Sequence, residues 1–113
     1  MKVLNISPKS RWEVIFKDND HWQAGIYVPE NTSREDIKYL EKHDAPELFY
    51  LIEGRIVLVI SSDLKTFHEV EMQPGKIYIV DEWHNAYRPE GVKGIALVIE
   101  KTNIKTQYNE IVS

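Results

Sequence analysis

The densest group of side chains able to bind a metal or move a proton lies between Glu41 and Gly54, in the stretch EKHDAPELFYLIEG. Glu41 and His43 are separated by a single residue. On an extended segment such a pair leaves one face about 7 Å apart along the backbone, so a carboxylate and an imidazole can converge on one point. Two ligands do not make a site; a third must come from another strand. Glu47 follows the turn signal Asp44-Ala45-Pro46 and opens the apolar and aromatic run Leu48 to Ile52, which Gly54 stops where the chain must bend. Glu47, Phe49 and Leu51 then share one face of a strand.

The elements that must position these residues read as strands almost throughout. Val3 to Ile6 reads as a short edge strand closed by Pro8. Trp12 to Lys17 and Trp22 to Val28 are rich in aromatic and β-branched residues and flank Asp18-Asn19-Asp20, so they predict a hairpin. In its second arm Gln23, Gly25 and Tyr27 share a face that can form a polar pocket wall, or equally an ordinary outer face. Asn31 to Asp36 is the one helix start, with Ser33 placed to cap. Further strands are expected over Arg55 to Ile60, Phe67 to Met72, Lys76 to Val80 after the turn Pro74-Gly75, and Ile95 to Ile99. The polar tail from Glu100 fits an edge strand, a docked segment or a frayed end. Turn signals about every ten residues predict an antiparallel sandwich or barrel.

Composition narrows the chemistry. A length of 113 residues predicts one domain, residues 1–113, with one core and one pocket. A net charge of -4 with no Lys/Arg run argues against nucleic acid. No cysteine is present, which removes thiolate ligands and nucleophiles and fits a reducing cytoplasm. No stretch nears the roughly 18 apolar residues of a membrane span, so no membrane partner and a cytoplasmic protein are expected. The serines sit in turns and the glycines are scattered, which offers neither a nucleophile elbow nor a phosphate-cradling loop.

The spacing His43, three residues, Glu47, six residues, Gly54 resembles the first motif of the cupins, where two histidines one residue apart precede a glutamate and a glycine. Glu41 stands at the place of the first histidine. The second cupin motif is matched in part by Ile79-Val80-Asp81-Glu82-Trp83-His84: His84 fits, Asp81 replaces the glycine, and Arg88 stands where an asparagine commonly follows. The resemblance implies an all-β, single-domain antiparallel β-barrel of the jelly-roll (double-stranded β-helix) type, with at most one short helix. It implies a divalent metal (Fe, Mn, Ni, Co or Zn) held by His43, Glu47 and His84, with Glu41 as a fourth ligand.

On that reading Glu41 or Glu82 would move a proton, Arg88 on the face of His84 and Ala86 would hold a substrate carboxylate or phosphate, and Tyr27 and Phe49 would contact the substrate. Trp83 would close the barrel mouth. The expected activity is that of an isomerase, epimerase, lyase or oxygenase acting on a sugar or organic acid, in a homodimer that covers its sheet edges. A solvated ion-pair face explains Glu41 and His43 equally well, and a metal-free cupin that binds or senses a small molecule is the alternative. His21 and His68 read as surface residues.

Overall fold

Ten strands in two antiparallel five-stranded sheets face each other in the computed structural model, which describes residues 1–111. The strands are β1 (Trp12–Asp18), β2 (Trp22–Tyr27), β3 (Tyr39–His43), β4 (Glu47–Gly54), β5 (Val57–Ser61), β6 (His68–Glu71), β7 (Ile77–Val80), β8 (Trp83–Tyr87), β9 (Gly94–Lys101) and β10 (Thr106–Glu110). One sheet runs β1-β2-β9-β4-β7 and the other β10-β3-β8-β5-β6. This is the jelly-roll sandwich that the strand pattern and the resemblance predicted.

The helix start at Ser33 yields only a 3-10 turn, Arg34–Asp36, with Ser33 accepting from the Asp36 amide; a second such turn spans Pro89–Gly91. Among the described residues there is no α-helix, and no helix is long and apolar enough to cross a membrane. Val3 to Ile6 forms no strand: this segment pairs with no neighbour in either sheet, and Val3 is 79% exposed. The tail from Glu100 resolves into the end of β9 and an edge strand, β10, paired with β3; Val112 and Ser113 lie outside the described residues.

Strand parity divides the interior. Tyr27, Phe49, Leu51, Ile56, Leu58, Met72, Val80, Ala86, Ala96 and Val98 pack between the sheets as one apolar cluster. The inward positions that follow at the other end of the same strands are polar: Gln23 on β2, Glu47 on β4, Glu100 on β9, His84 on β8. The barrel thus has a closed apolar end and an open polar one. A second cluster, Ile37, Leu40 and Val59, lies apart from this core, and Trp83 packs there with Tyr87, not at the cavity mouth. The residue that occupies the cavity wall instead is Trp12.

Gly54 ends β4 at φ +79°, where a Cβ would stand 1.8 Å from the Lys93 carbonyl oxygen. Only glycine fits that crossing of β4 and β9. Gly54→Ala is expected to cost more than about 3 kcal/mol, lowering the melting temperature by over about 10 °C. Calorimetric melting checks this, and a shift under about 3 °C would refute it.

Candidate metal centre

Three strands and two turns bring the candidate ligands together. Glu41 and His43 leave the inner face of β3; Glu41 pairs in register with His84 on β8, so those two side chains start as cross-strand neighbours. Glu47 begins β4 in the opposite sheet and reaches across. The Glu47 Oε1 atom lies 2.6 Å from His43 Nε2 and 3.0 Å from His84 Nε2, while Glu41 Oε1 lies 3.7 and 3.8 Å from the same two nitrogens. One ligand atom each from Glu41, His43 and His84 falls within a 4.8 Å group.

The imidazoles are oriented from behind. His84 Nδ1 sits 2.9 Å from the Glu82 carbonyl oxygen, which can only accept, so Nδ1 carries the proton and a neutral His84 presents a bare Nε2 to the site. His43 Nδ1 is 2.8 Å from the Thr106 hydroxyl on β10. Ring nitrogens pinned in this way are the usual support of a metal-binding histidine.

The fit to a cation shows in what the front of the site lacks. Glu47 Oε1 and His84 Nε2 are both buried and, despite their separation of 3.0 Å, neither has a hydrogen-bond partner of acceptable geometry. A carboxylate oxygen and a bare nitrogen facing each other are two acceptors; only a proton or a cation between them relieves the repulsion. Two imidazole nitrogens and two carboxylates suit divalent iron, manganese, cobalt, nickel or zinc.

Protonation follows the same arrangement. Burial would raise the Glu47 carboxyl, but its 2.6 Å ion pair with His43 holds it well below the usual carboxylate range. Burial would lower His43, and Glu47 with Glu41 and Glu100 overcomes this and raises it. Glu100, next to Glu47, is pushed up to about 7 by burial and by that neighbouring carboxylate, against a 2.6 Å hydrogen bond donated by Gln23. Burial also raises Tyr27 above the ordinary phenol range, so its hydroxyl stays protonated.

The cavity around these groups measures about 310 Å³. Glu41, His43, Glu47, His84, Tyr27 and Phe49 all line it. Glu82 does not: its carboxylate turns back to accept from the Asp81 amide, and only its carbonyl serves the site. Arg88 is likewise elsewhere, because β8 ends at Tyr87 and its guanidinium is taken up by the carbonyls of Pro29, Gly91 and Val92. Two charged lining residues were missed, Arg11 and Glu100, along with uncharged ones such as Thr106 and Tyr108. Glu100 was findable, since it continues the inward alternation Ala96, Val98 at the end of an apolar strand. Arg11 precedes β1 and carries no periodic signal.

No family model and no curated protein sequence matches the chain. Solved structures do. A cupin-2 domain containing protein from Shewanella frigidimarina superposes with a TM-score of 0.61 at 20% identity over 85% of this chain and 84% of that one. A cupin 2 domain-containing protein from Halorhodospira halophila gives 0.65 at 12% identity over 90% and 70%. Hydroxypropylphosphonic acid epoxidase from S. wedmorenis gives 0.58 at 17% identity over 72% of this chain and 43% of that one, so this chain spans less than half of the epoxidase. Likeness at such identity concerns architecture, and it agrees with the two facing sheets and the strand order found here: the protein has the cupin fold.

Proposed function

We propose that residues 1–113 form one cupin-like domain that works as a metal-dependent enzyme on a small polar or carboxylic substrate, with Glu41, His43, Glu47 and His84 holding a divalent ion. The observation that carries this reading is the convergence of buried Glu47 Oε1 and the unpartnered His84 Nε2 with His43 and Glu41 in an open cavity. The similar epoxidase, solved in Fe(II) and Co(II) forms, supports a metal as cofactor. A bound ion would supply Lewis-acid polarisation of a carbonyl or enediol oxygen.

The chain's own residues supply the rest. Glu100, buried beside Glu47 and held by Gln23, stands where a carboxyl can take and return a proton next to the ligands, as isomerisation, epimerisation or elimination requires. Tyr27 presents a protonated phenol from the cavity wall. Gln23 orients Glu100 through its amide.

Elemental mass spectrometry on protein purified without tag or chelator tests the proposal. About one ion per chain is expected; no binding after reconstitution with iron, manganese, cobalt, nickel and zinc would overturn it. One observation favours a metal-free binding module instead: His43 and Glu47 at 2.6 Å already balance one charge each.

The proposal includes a homodimer. Ile77 and Ile79 on edge strand β7 are each 62% exposed beside the partly exposed Tyr50, an outward apolar patch at the sheet edge that a lone domain leaves in water. Light scattering should give twice 13.3 kDa, and Ile79→Glu should give the monomer mass. A monomer for the unaltered chain would remove the dimer.

A further inference from the structure

We infer that Arg11 makes the cavity selective for a small monocarboxylate with an apolar body, an inference that rests on the proposed function only in taking this cavity as the substrate site. The four arginines differ in what they are doing. Arg55 is clamped by Glu71 at 2.7 and 2.8 Å, Arg88 by three carbonyls, and Arg34 lies over the Phe67 ring. The Arg11 guanidinium has no carboxylate nearer than Glu41 at 4.0 Å, and among the described residues it is the one Lys or Arg side chain that lines the cavity.

Its position is built. The Arg11 carbonyl accepts from the Val28 amide, continuing the pairing of β1 with β2, and its guanidinium lies 5.3 Å from the centre of the Tyr27 ring. The side chain is 33% exposed, so a ligand can reach it from solvent. Its one side-chain hydrogen bond among the described residues is to Tyr27, which leaves donors to match a carboxylate by two parallel hydrogen bonds.

Charge and shape set the substrate class. Arg11 supplies the one Lys or Arg charge in the lining, which one carboxylate pairs with and a dianion exceeds. The apolar part of the lining, Trp12, Phe49, Leu58, Val98 and Ile104, favours a hydrocarbon body opposite the carboxylate. A cavity of about 310 Å³ admits a small ring or short chain.

Benzoate and benzamide share shape and differ in charge, so titrating each by calorimetry isolates the contribution of Arg11. Metal-free and metal-loaded protein should both bind benzoate at least ~10-fold more tightly than benzamide. Arg11→Gln should bring that ratio to about 1, and Arg11→Lys should keep part of it, with far-UV spectrum and metal content unchanged in both. A ratio near 1 in the unaltered protein, or one that survives Arg11→Gln, overturns the inference. An Arg11-dependent ratio in protein that takes up no metal would sustain it while the metal proposal fails; full metal occupancy without the ratio would do the reverse.

Discussion

Changing His43 and His84 to alanine together should take bound metal from about one ion per chain to background. Two of the four donors disappear, and a structural divalent ion held by four protein donors is worth on the order of 10 kcal/mol, so the loss of affinity should exceed ~1,000-fold. The remaining pair, Glu41 and Glu47, comes from opposite sheets and no longer has nitrogen partners. The double change leaves a buried carboxylate at Glu47, which is 5% exposed, and this will destabilise the barrel by itself. Glu47→Gln separates the two effects, because it keeps the volume and removes the charge. It should fold at pH 7 with a native far-UV spectrum and still lose most of the metal. Stoichiometric metal in either variant, measured by elemental mass spectrometry after dialysis, would move the binding site elsewhere in the molecule.

The metal-free protein should be most stable near pH 5 and lose stability toward pH 8, the reverse of what acid denaturation alone suggests. Three groups set this. The folded-state value of Glu47 is depressed, so its contribution is present above the unfolded value of 4.5 and is lost as the pH falls through the acid range. Glu100 moves the other way: between 4.5 and about 7 the folded state keeps a proton that the unfolded chain has released, so stability falls as pH rises across that window. His43 is raised above 6.5, so its stabilising charge is complete below 6.5 and is lost as the pH rises through the folded value. Both of the latter lower the melting temperature between pH 5 and 8, by about 5–10 °C together.

A divalent ion should invert that slope. Holding an ion would require neutral histidines and ionised carboxylates, so binding should tighten as pH rises. Scanning calorimetry at pH 5, 6, 7 and 8, with chelator and with saturating metal, should give falling and rising melting temperatures respectively. Glu100→Gln should flatten the chelator curve between pH 4.5 and about 7, so that the remaining fall is the His43 component above 6.5. A chelator curve that rises from pH 5 to 8 would contradict the burial of Glu100 beside Glu47.

Much of the architecture was legible along the chain because sheet-forming signals are local. Alternation in Trp22 to Tyr27 and Glu47 to Leu51, the turn residues around Asn19 and Gly75, and the stop at Gly54 each depend on a few neighbouring residues. The misreadings occur where a local signal lacked a partner. Val3 to Ile6 is apolar enough for a strand, but no edge of either sheet takes it up. Trp83 beside His84 looked like a rim residue, yet adjacent residues on a strand point to opposite faces, which sends one side chain into the cavity and the other to the cluster around Ile37 and Leu40.

The sequence by itself determined most of the strand menu, the face that Glu41 and His43 share, the face that Glu47 shares with Phe49 and Leu51, and the motif spacing that pointed to the fold. Parity within a strand settles which face a side chain takes, and that information is local. What closes the site is not local. His84 meets Glu47 only because β8 and β4 lie in different sheets that face each other, Glu100 and Gln23 join through cross-strand register, and Arg88 is withdrawn by carbonyls of the segments that follow β2 and β8. These placements depend on which strands are neighbours and on where a sheet ends. Distances between strands far apart in the chain are fixed by the packing of the two sheets, and no spacing within one segment encodes them.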